Sequence, residues 1–589
     1  MVRSNRLVIV VGLLYLFSTI THIPLKVLNY VFDKNAPLQF IGLLATALAL
    51  TVILLFKNSK VKVPLFIAMA LGLLLVSLLI SASLSPNFMG SLTGDTGRYT
   101  GVASLFALVI VALFHANLNR RQFKKLVGLY IFTFAVTLIV GILQSLHLIE
   151  LPGIADSVTS TFGNLDFFAA YIGTTIPLLL LAIHLAPSNL RRYLALLIPI
   201  AIYCLYLAGA KQGYVDLGLT FFLLATLGLL KVSKFELVNR LQEISLNLRT
   251  SIGVILIIIW MEIIFVSPFV STSVPIIGGE PQVLIRGVMW LAALNQFKAF
   301  PIFGVGPDQY GNYYEQYRSI SSTVVLPGDS SNDAHSAPMQ TLATTGVVGS
   351  LLFMVLIAIL IRSLFILIER NPKQRTRYYL FAIYFFVYFT NAAISPITLP
   401  NKYLFWATAG FIIGQAYRGY VEPQRFARIS TLLNRGTITL ASTLVLVVAI
   451  NFTYAQVRFI NWAETRGPNA SVKIDATVSS FLPCTWYYPA LENFIINQGS
   501  EALEALALKQ VSLNPRCFQA QTKLAILAYN RGDIKDMRKR IYIMMDLAPA
   551  RRDSMDLATI YAIKDGDTAL QARIAKILAA QGITTIELR

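Results

Sequence analysis

Between residues 271 and 340 the sequence sets an arginine, Arg286, and a histidine, His335, in polar, glycine-rich surroundings. His335 stands in DSSNDAHSAPMQTLATTGVVGSLL, just ahead of an apolar run, with Asp333 or Ser336 available as helix cap and Pro338 tolerated in the first turn. A helix amino end disfavours imidazolium, so the ring is expected to stay neutral at neutral pH and accept a proton. The same end attracts phosphate. Arg286 lies in VLIRGVMWLAALNQFKAF, which is amphipathic and too polar for a membrane span; it is predicted to lie along the outer membrane surface as one or two helices. There Arg286 and Trp290 share a face at i, i+4. The intervening PIFGVGPDQYG supplies Gly304, Gly306 and Gly311 for sharp turns and close backbone approach. Taken singly, His335 also fits a capping role and Arg286 an interfacial anchor.

The elements that must hold these residues are membrane helices. The 589 residues are 56% hydrophobic and only 13% charged, and mean hydropathy is +0.64; soluble domains carry about 25% charged residues. A spanning helix needs about 20 mostly apolar residues, because no backbone polar group can stay unpaired in hydrocarbon. Thirteen stretches between residues 1 and 454 come near that length, among them 63–84, 251–270 and 342–361. Basic residues crowd every second loop, such as Arg120, Arg121, Lys124 and Lys125, or Arg370, Lys373, Arg375 and Arg377. That alternation predicts an amino terminus in the cytoplasm, a loop at 271–340 outside and a carboxy-terminal tail outside. The first stretch follows Arg3 and Arg6 with no small-residue cleavage site behind it, and reads as a retained span. The net charge of +20 follows from the basic loops and suits anionic lipid, so no nucleic-acid partner is needed to explain it.

After residue 454 the apolar runs stop, which divides the chain into a membrane core at 1–454 and an extracytoplasmic domain at 455–589. In the second part a 34-residue offset recurs: Pro515 and Pro549, Ile526 and Ile560, Ala528 and Ala562, Gly532 and Gly566, Asp533 and Asp567. Such a period marks stacked helix pairs, with Gly-Asp as the turn. Segment 518–551 resembles a tetratricopeptide repeat, with Leu524, Ala525 and Ala528 facing Met537, Ile541 and Met544; a small helical bundle of another kind is the alternative. Arrays of this kind usually present a surface to a protein partner. Of the three cysteines, Cys204 falls in a span, while Cys484 and Cys517 either pair or stay as two thiols; no zinc spacing is present.

The loop sequences RGVMWLAALNQFKAFPIFGVGPDQYG and HSAPMQTLATTGVVGS resemble the O-antigen ligase family, which includes polysaccharide polymerases and protein O-oligosaccharyltransferases. TFGNLDFFAAYI is similar to the family's Gly-x-Asn-x-Asn/Asp-Phe segment. AGAKQGY is similar to its Ser-Arg-Gly signature, with Lys211 at the arginine position, and SLSPNFMGSLTGDTGRYTG to its early loop, with Arg98 as the basic residue. Thr344 stands where the family often has an acid. The resemblance implies an all-α polytopic membrane enzyme of the GT-C-like glycosyltransferase type, in a bacterial cytoplasmic membrane. It would move a glycan from a polyprenyl diphosphate carrier to a hydroxyl of a lipid, glycan or protein acceptor on the outer face, with neither metal nor cofactor. His335 would be the base, and Arg286, Lys211 and Arg98 would stabilise the diphosphate.

Tyr310, Tyr313, Tyr314 and Tyr317 crowd beside the glycine turn and either stack on sugar rings or lie at headgroup level. Glu262 falls near the middle of the ninth apolar stretch, where it needs a partner, a wet cavity or a proton. His22, His115, His147 and His184 lie near span ends and receive no role. The competing class is a transporter of lipid-linked glycans, which would concentrate polar groups at mid-membrane and often show internal duplication.

Overall fold

The computed structural model describes residues 5–20, 36–56, 63–95, 98–149, 157–232, 245–270, 281–320, 322–325, 330–464 and 500–581. Among these no strand occurs, and each of the thirteen apolar stretches falls on a helix. Among the described residues seven helices are long and apolar enough to cross a membrane, and Val102–Ala116 and Leu246–Trp260 are shorter apolar helices. The protein is an all-helical, polytopic membrane protein. On helix Ala337–Arg370 the exposed apolar residues Val347, Leu351 and Val355 recur every four positions, a stripe suited to lipid. Glu262 lies on helix Leu246–Val270, but its side chain falls outside the described residues.

Two compact units are present. The first comprises Met1–Val76, Gly97–Ile264 and Leu351–Ile450. Its tightest seam joins helices Val102–Ala116 and Leu399–Ala416, where Gly410 and Gly414 press against the backbone of Ala112 and Ala116. Small residues at i, i+4 on both helices let the backbones approach, which is how helices gain contact in lipid. Phe123 stacks on Phe411 beside this seam, with ring centroids 3.7 Å apart. A Cβ at Gly410 would enter the Ala112 carbonyl, so Gly410→Ala is expected to cost about 1–3 kcal/mol through overpacking, read as a lower midpoint of thermal unfolding in detergent.

The same unit buries a knot of polar rings. Tyr15 Oη lies 3.2 Å from Tyr171 Oη, and the Tyr15 ring packs 4.9 Å from Tyr130 and 4.7 Å from Tyr403. His115 lies 2.7 Å from both the Val111 carbonyl, through Nδ1, and Tyr130 Oη, through Nε2. Both ring nitrogens are thus engaged and His115 is a core residue.

The second unit comprises Ser77–Thr96, Phe265–Ser350 and Asn451–Arg589. Its tail shows the 34-residue offset as paired helices: Phe518–Arg531 with Ile534–Leu547, then Arg552–Lys564 with Thr568–Ala580. Gly532 and Gly566 take positive φ between the partners, and the Asp533 and Asp567 side chains accept from the backbone N–H three residues on. Ala525, Ala528, Met537, Ile541 and Met544 form the buried seam with Ala558 and Ala562. Cys517 is disulfide-bonded and Cys204 is free; Cys484 lies outside the described residues.

Candidate active site

Helix Ala337–Arg370 is interrupted at Gly346, whose φ of 64° and ψ of −165° belong to a region open essentially only to glycine. A break in a membrane helix strands carbonyls on one side and N–H groups on the other, and each must find another partner. The glycine turn provides them. Val305 and Gly306 donate their N–H groups to the carbonyls of Ala343 and Thr344 at 3.0 and 3.1 Å. In return Val347 and Val348 donate to the carbonyls of Pro301 and Ile302 at 2.8 and 3.2 Å. Ser81 Oγ donates to the Phe303 carbonyl at 2.6 Å and to that of Thr344 at 3.1 Å. Backbone meets backbone so closely that a Cβ on Gly304 or Gly346 would overlap the opposing chain. The close approach expected of the glycines is therefore realised, and its target is the broken helix.

Further along the turn, Gly306 leaves room for Ser85 and Ser91, and Gly311 passes Asn332, where a Cβ would lie 2.8 Å from Asn332 Cα. Asp308, in the left-handed region at φ 59°, accepts from the Asp95 N–H at 2.8 Å, and Asn332 donates to Asp95 Oδ1 at 2.9 Å. Asp95 thus bridges the turn to the segment that carries His335. Neither Asp95 nor Asp308 was singled out from sequence, although Gly94-Asp95 and Gly306-Pro307-Asp308 both have turn chemistry.

His335 itself takes the left-handed conformation, with φ 50°. Ser336, rather than Asp333, occupies the cap position: its carbonyl accepts from Gln340 N–H at 2.8 Å and its Oγ from Met339 N–H at 3.5 Å. Asp333 instead accepts the His335 backbone N–H at 2.6 Å. Nδ1 of His335 lies 3.1 Å from the Asp333 carbonyl, which can only accept, so Nδ1 carries a proton, and in a neutral ring Nε2 is then the acceptor nitrogen. The ring is partly exposed, at the amino end of the broken helix.

Arg286 lies on helix Pro281–Ala299, half-buried, one turn before the buried Met289 and Trp290. Ser331 Oγ contacts Met289 Sδ at 3.6 Å and donates to the Asp333 carbonyl at 2.7 Å, the oxygen that also receives His335 Nδ1. One short chain of contacts therefore links the face of the Arg286 helix to the backbone that orients His335. Arg98 and Lys211 belong to the first unit. Arg98 is buried, and Lys211 is exposed as the first residue of helix Lys211–Val232, behind the left-handed Gly209. In TFGNLDFFAAYI, Asn164 caps helix Leu165–Leu185 by accepting from the N–H groups of Asp166 and Phe167. Asp216, a buried carboxylate on helix Lys211–Val232, accepts from Asn391 Nδ2 at 2.5 Å.

Residues 169–354 match the family model for O-antigen ligase. The chain carries an O-antigen ligase family domain. That match supports a membrane glycan ligase or polymerase type of function, with lipid-linked glycan and acceptor as the substrate classes. The ligase domain takes in Lys211, Arg286, the turn around Gly304, His335 and the break at Gly346; Arg98 lies outside it. No curated protein matches this chain.

Tyr310, Tyr313 and Tyr314, for which stacking on sugar rings or a place at headgroup level is expected from sequence, are buried. Their exposures are 0%, 4% and 0%, so no ring face is open to a glycan. Tyr310 Oη donates to the Met289 carbonyl at 2.8 Å, and its own carbonyl accepts from Gln296 at 3.2 Å. These tyrosines are the packing core that joins helix Gly311–Tyr317 to the Arg286 helix. Tyr313 also lies under Arg516 of the tail, whose guanidinium carbon stands 3.7 Å from the ring centroid. Arg516 donates through Nε to the Asn312 carbonyl at 3.0 Å and through Nη2 to Gln316 Oε1 at 2.6 Å. Burial pushes this guanidinium below its usual pKa and the Tyr313 phenol above its own, the latter shift opposed by the Arg516 charge. Arg516→Ala is expected to cost about 2–3 kcal/mol of tail docking. Hydrogen exchange should then show faster amides at 311–317; unchanged protection there would contradict the assignment.

Proposed function

We propose that the protein transfers a glycan en bloc from a polyprenyl diphosphate carrier to an acceptor hydroxyl at the extracytoplasmic face of the cytoplasmic membrane. The observation that carries this reading is the placement of His335: a partly exposed ring at a helix amino end, with Nδ1–H held by a carbonyl, in the unit that also holds Arg286. The acceptor hydroxyl gives its proton to Nε2 as its oxygen bonds to the anomeric carbon. The bond from that carbon to the phosphate oxygen breaks, and the diphosphate leaves with the electron pair. Arg286 carries the developing charge. Direct displacement inverts the anomeric configuration.

Ligation to a lipid-anchored core sugar is the reading preferred; polymerisation of a glycan chain and transfer to a protein hydroxyl use the same chemistry. The paired helices of the tail support a tetratricopeptide-like module, and the Cys517 disulfide favours an oxidising compartment, hence a tail outside and an amino terminus inside. The broken helix at Gly346 is also a device of transporters. The test is the protein in nanodiscs with a polyprenyl diphosphate glycan and defined acceptors, the product's anomeric configuration read by NMR. A parallel arm in vesicles follows translocation of a labelled carrier. An inverted glycoside is expected; carrier movement without glycosidic product would replace the enzyme with the transporter.

A further inference from the structure

Where helix Val102–Ala116 ends and helix Arg120–Ser145 begins, the first unit has a cavity of about 610 Å³ lined by Arg120, Arg121, Arg370 and Arg418 with Asn371 and Gln415. Three of the guanidiniums are held by neutral acceptors. Arg120 donates to Gln374 Oε1 at 3.1 Å and to Asn371 Oδ1 at 3.0 Å, Arg370 to the Ala416 carbonyl at 2.7 Å, and Arg418 to the Leu118 carbonyl at 2.5 Å. Among the described residues no ion pair joins any of the four to a carboxylate. Arg120 and Arg121 also sit in the first turn of their helix, which holds no acid, so the positive end of the helix dipole adds to their charge. Burial first, and the neighbouring Arg120 charge second, push Arg418 below its usual pKa. Arginines that line one cavity and donate to neutral groups form a site suited to an anion.

We propose that this cavity binds a phosphate group, separately from glycan transfer. The fork geometry of four arginines suits phosphate oxygens, and two amide side chains add neutral contacts. The group can arrive as an anionic phospholipid headgroup or as a soluble phosphate. The full chain, delipidated in detergent, is placed in nanodiscs of phosphatidylcholine alone or with phosphatidylglycerol, and retained lipid is read by native mass spectrometry. Inorganic phosphate and pyrophosphate are titrated against the phosphatidylcholine discs by calorimetry. Enrichment of phosphatidylglycerol identifies the headgroup as source, and calorimetric binding identifies a soluble phosphate. In either arm Arg121→Gln, and the pair Arg121→Gln with Arg418→Gln, should weaken binding about tenfold or more, as expected for one charge-assisted hydrogen bond. Arg425→Gln removes a charge that does not line the cavity and should leave binding unchanged. Absence of binding in both arms, or an equal loss with Arg425→Gln, overturns the proposal.

Discussion

Replacing His335 by Ala is expected to lower glycan transfer by about 10²- to 10⁴-fold, the usual contribution of a positioned base. A simple loss would be ambiguous, because His335 has φ 50° and alanine is less content there. His335→Asn resolves this. Asparagine tolerates the left-handed region and its amide can still donate to the Asp333 carbonyl, yet it offers no basic nitrogen. Both variants should be slow, and His335→Asn should in addition unfold at the parent temperature and retain carrier binding. Arg286→Ala is expected to lose about 10²- to 10³-fold, as for other donors that stabilise developing charge, and Arg286→Lys should recover only part of it. Parent-like turnover in His335→Asn removes the assigned base. Parent-like turnover in Arg286→Ala leaves the base and removes the cation.

Gly346→Ala is expected to damage both stability and activity. The backbone there lies in a region that costs a residue with a side chain about 1–3 kcal/mol, and the new Cβ would meet the Ile302 carbonyl directly. Relief requires the 301–306 strap to withdraw, which unpairs the four hydrogen bonds bridging the break. Each buried group left unsatisfied costs about 1–3 kcal/mol more. The variant should therefore melt well below the parent and transfer glycan poorly, since the strap leads through Asp308 and Asp95 to the His335 segment. Gly128→Ala is the control: nothing lies within 4 Å of its Cβ position, and an alanine inside a helix is neutral or stabilising. Equal behaviour of the two variants would show that the break is not under the tension described.

Much of this architecture is legible in the residues. Each of the seven helices long and apolar enough to cross a membrane among the described residues falls on an apolar run legible in the sequence, because lipid leaves the backbone no alternative to internal pairing. The amphipathic stretch carrying Arg286 is a helix, and His335 precedes one, since capping chemistry is local and involves neighbours within four residues. The recurring Gly-Asp turns of the tail are equally local.

What the tertiary structure decided involves partners distant in the chain. The apolar pattern runs through TTGVVG unbroken, and the strap that makes a break tolerable lies some forty residues earlier. Tyr310, Tyr313 and Tyr314 have the same composition whether they line a sugar site or fill a core, and only the arrival of the Arg286 helix and of Arg516, two hundred residues on, turns them inward. Local chemistry sets which segments are helices and where their ends fall. Which side chains those helices bury, and where a helix can be interrupted, depends on desolvation and backbone pairing that exist only once remote segments meet.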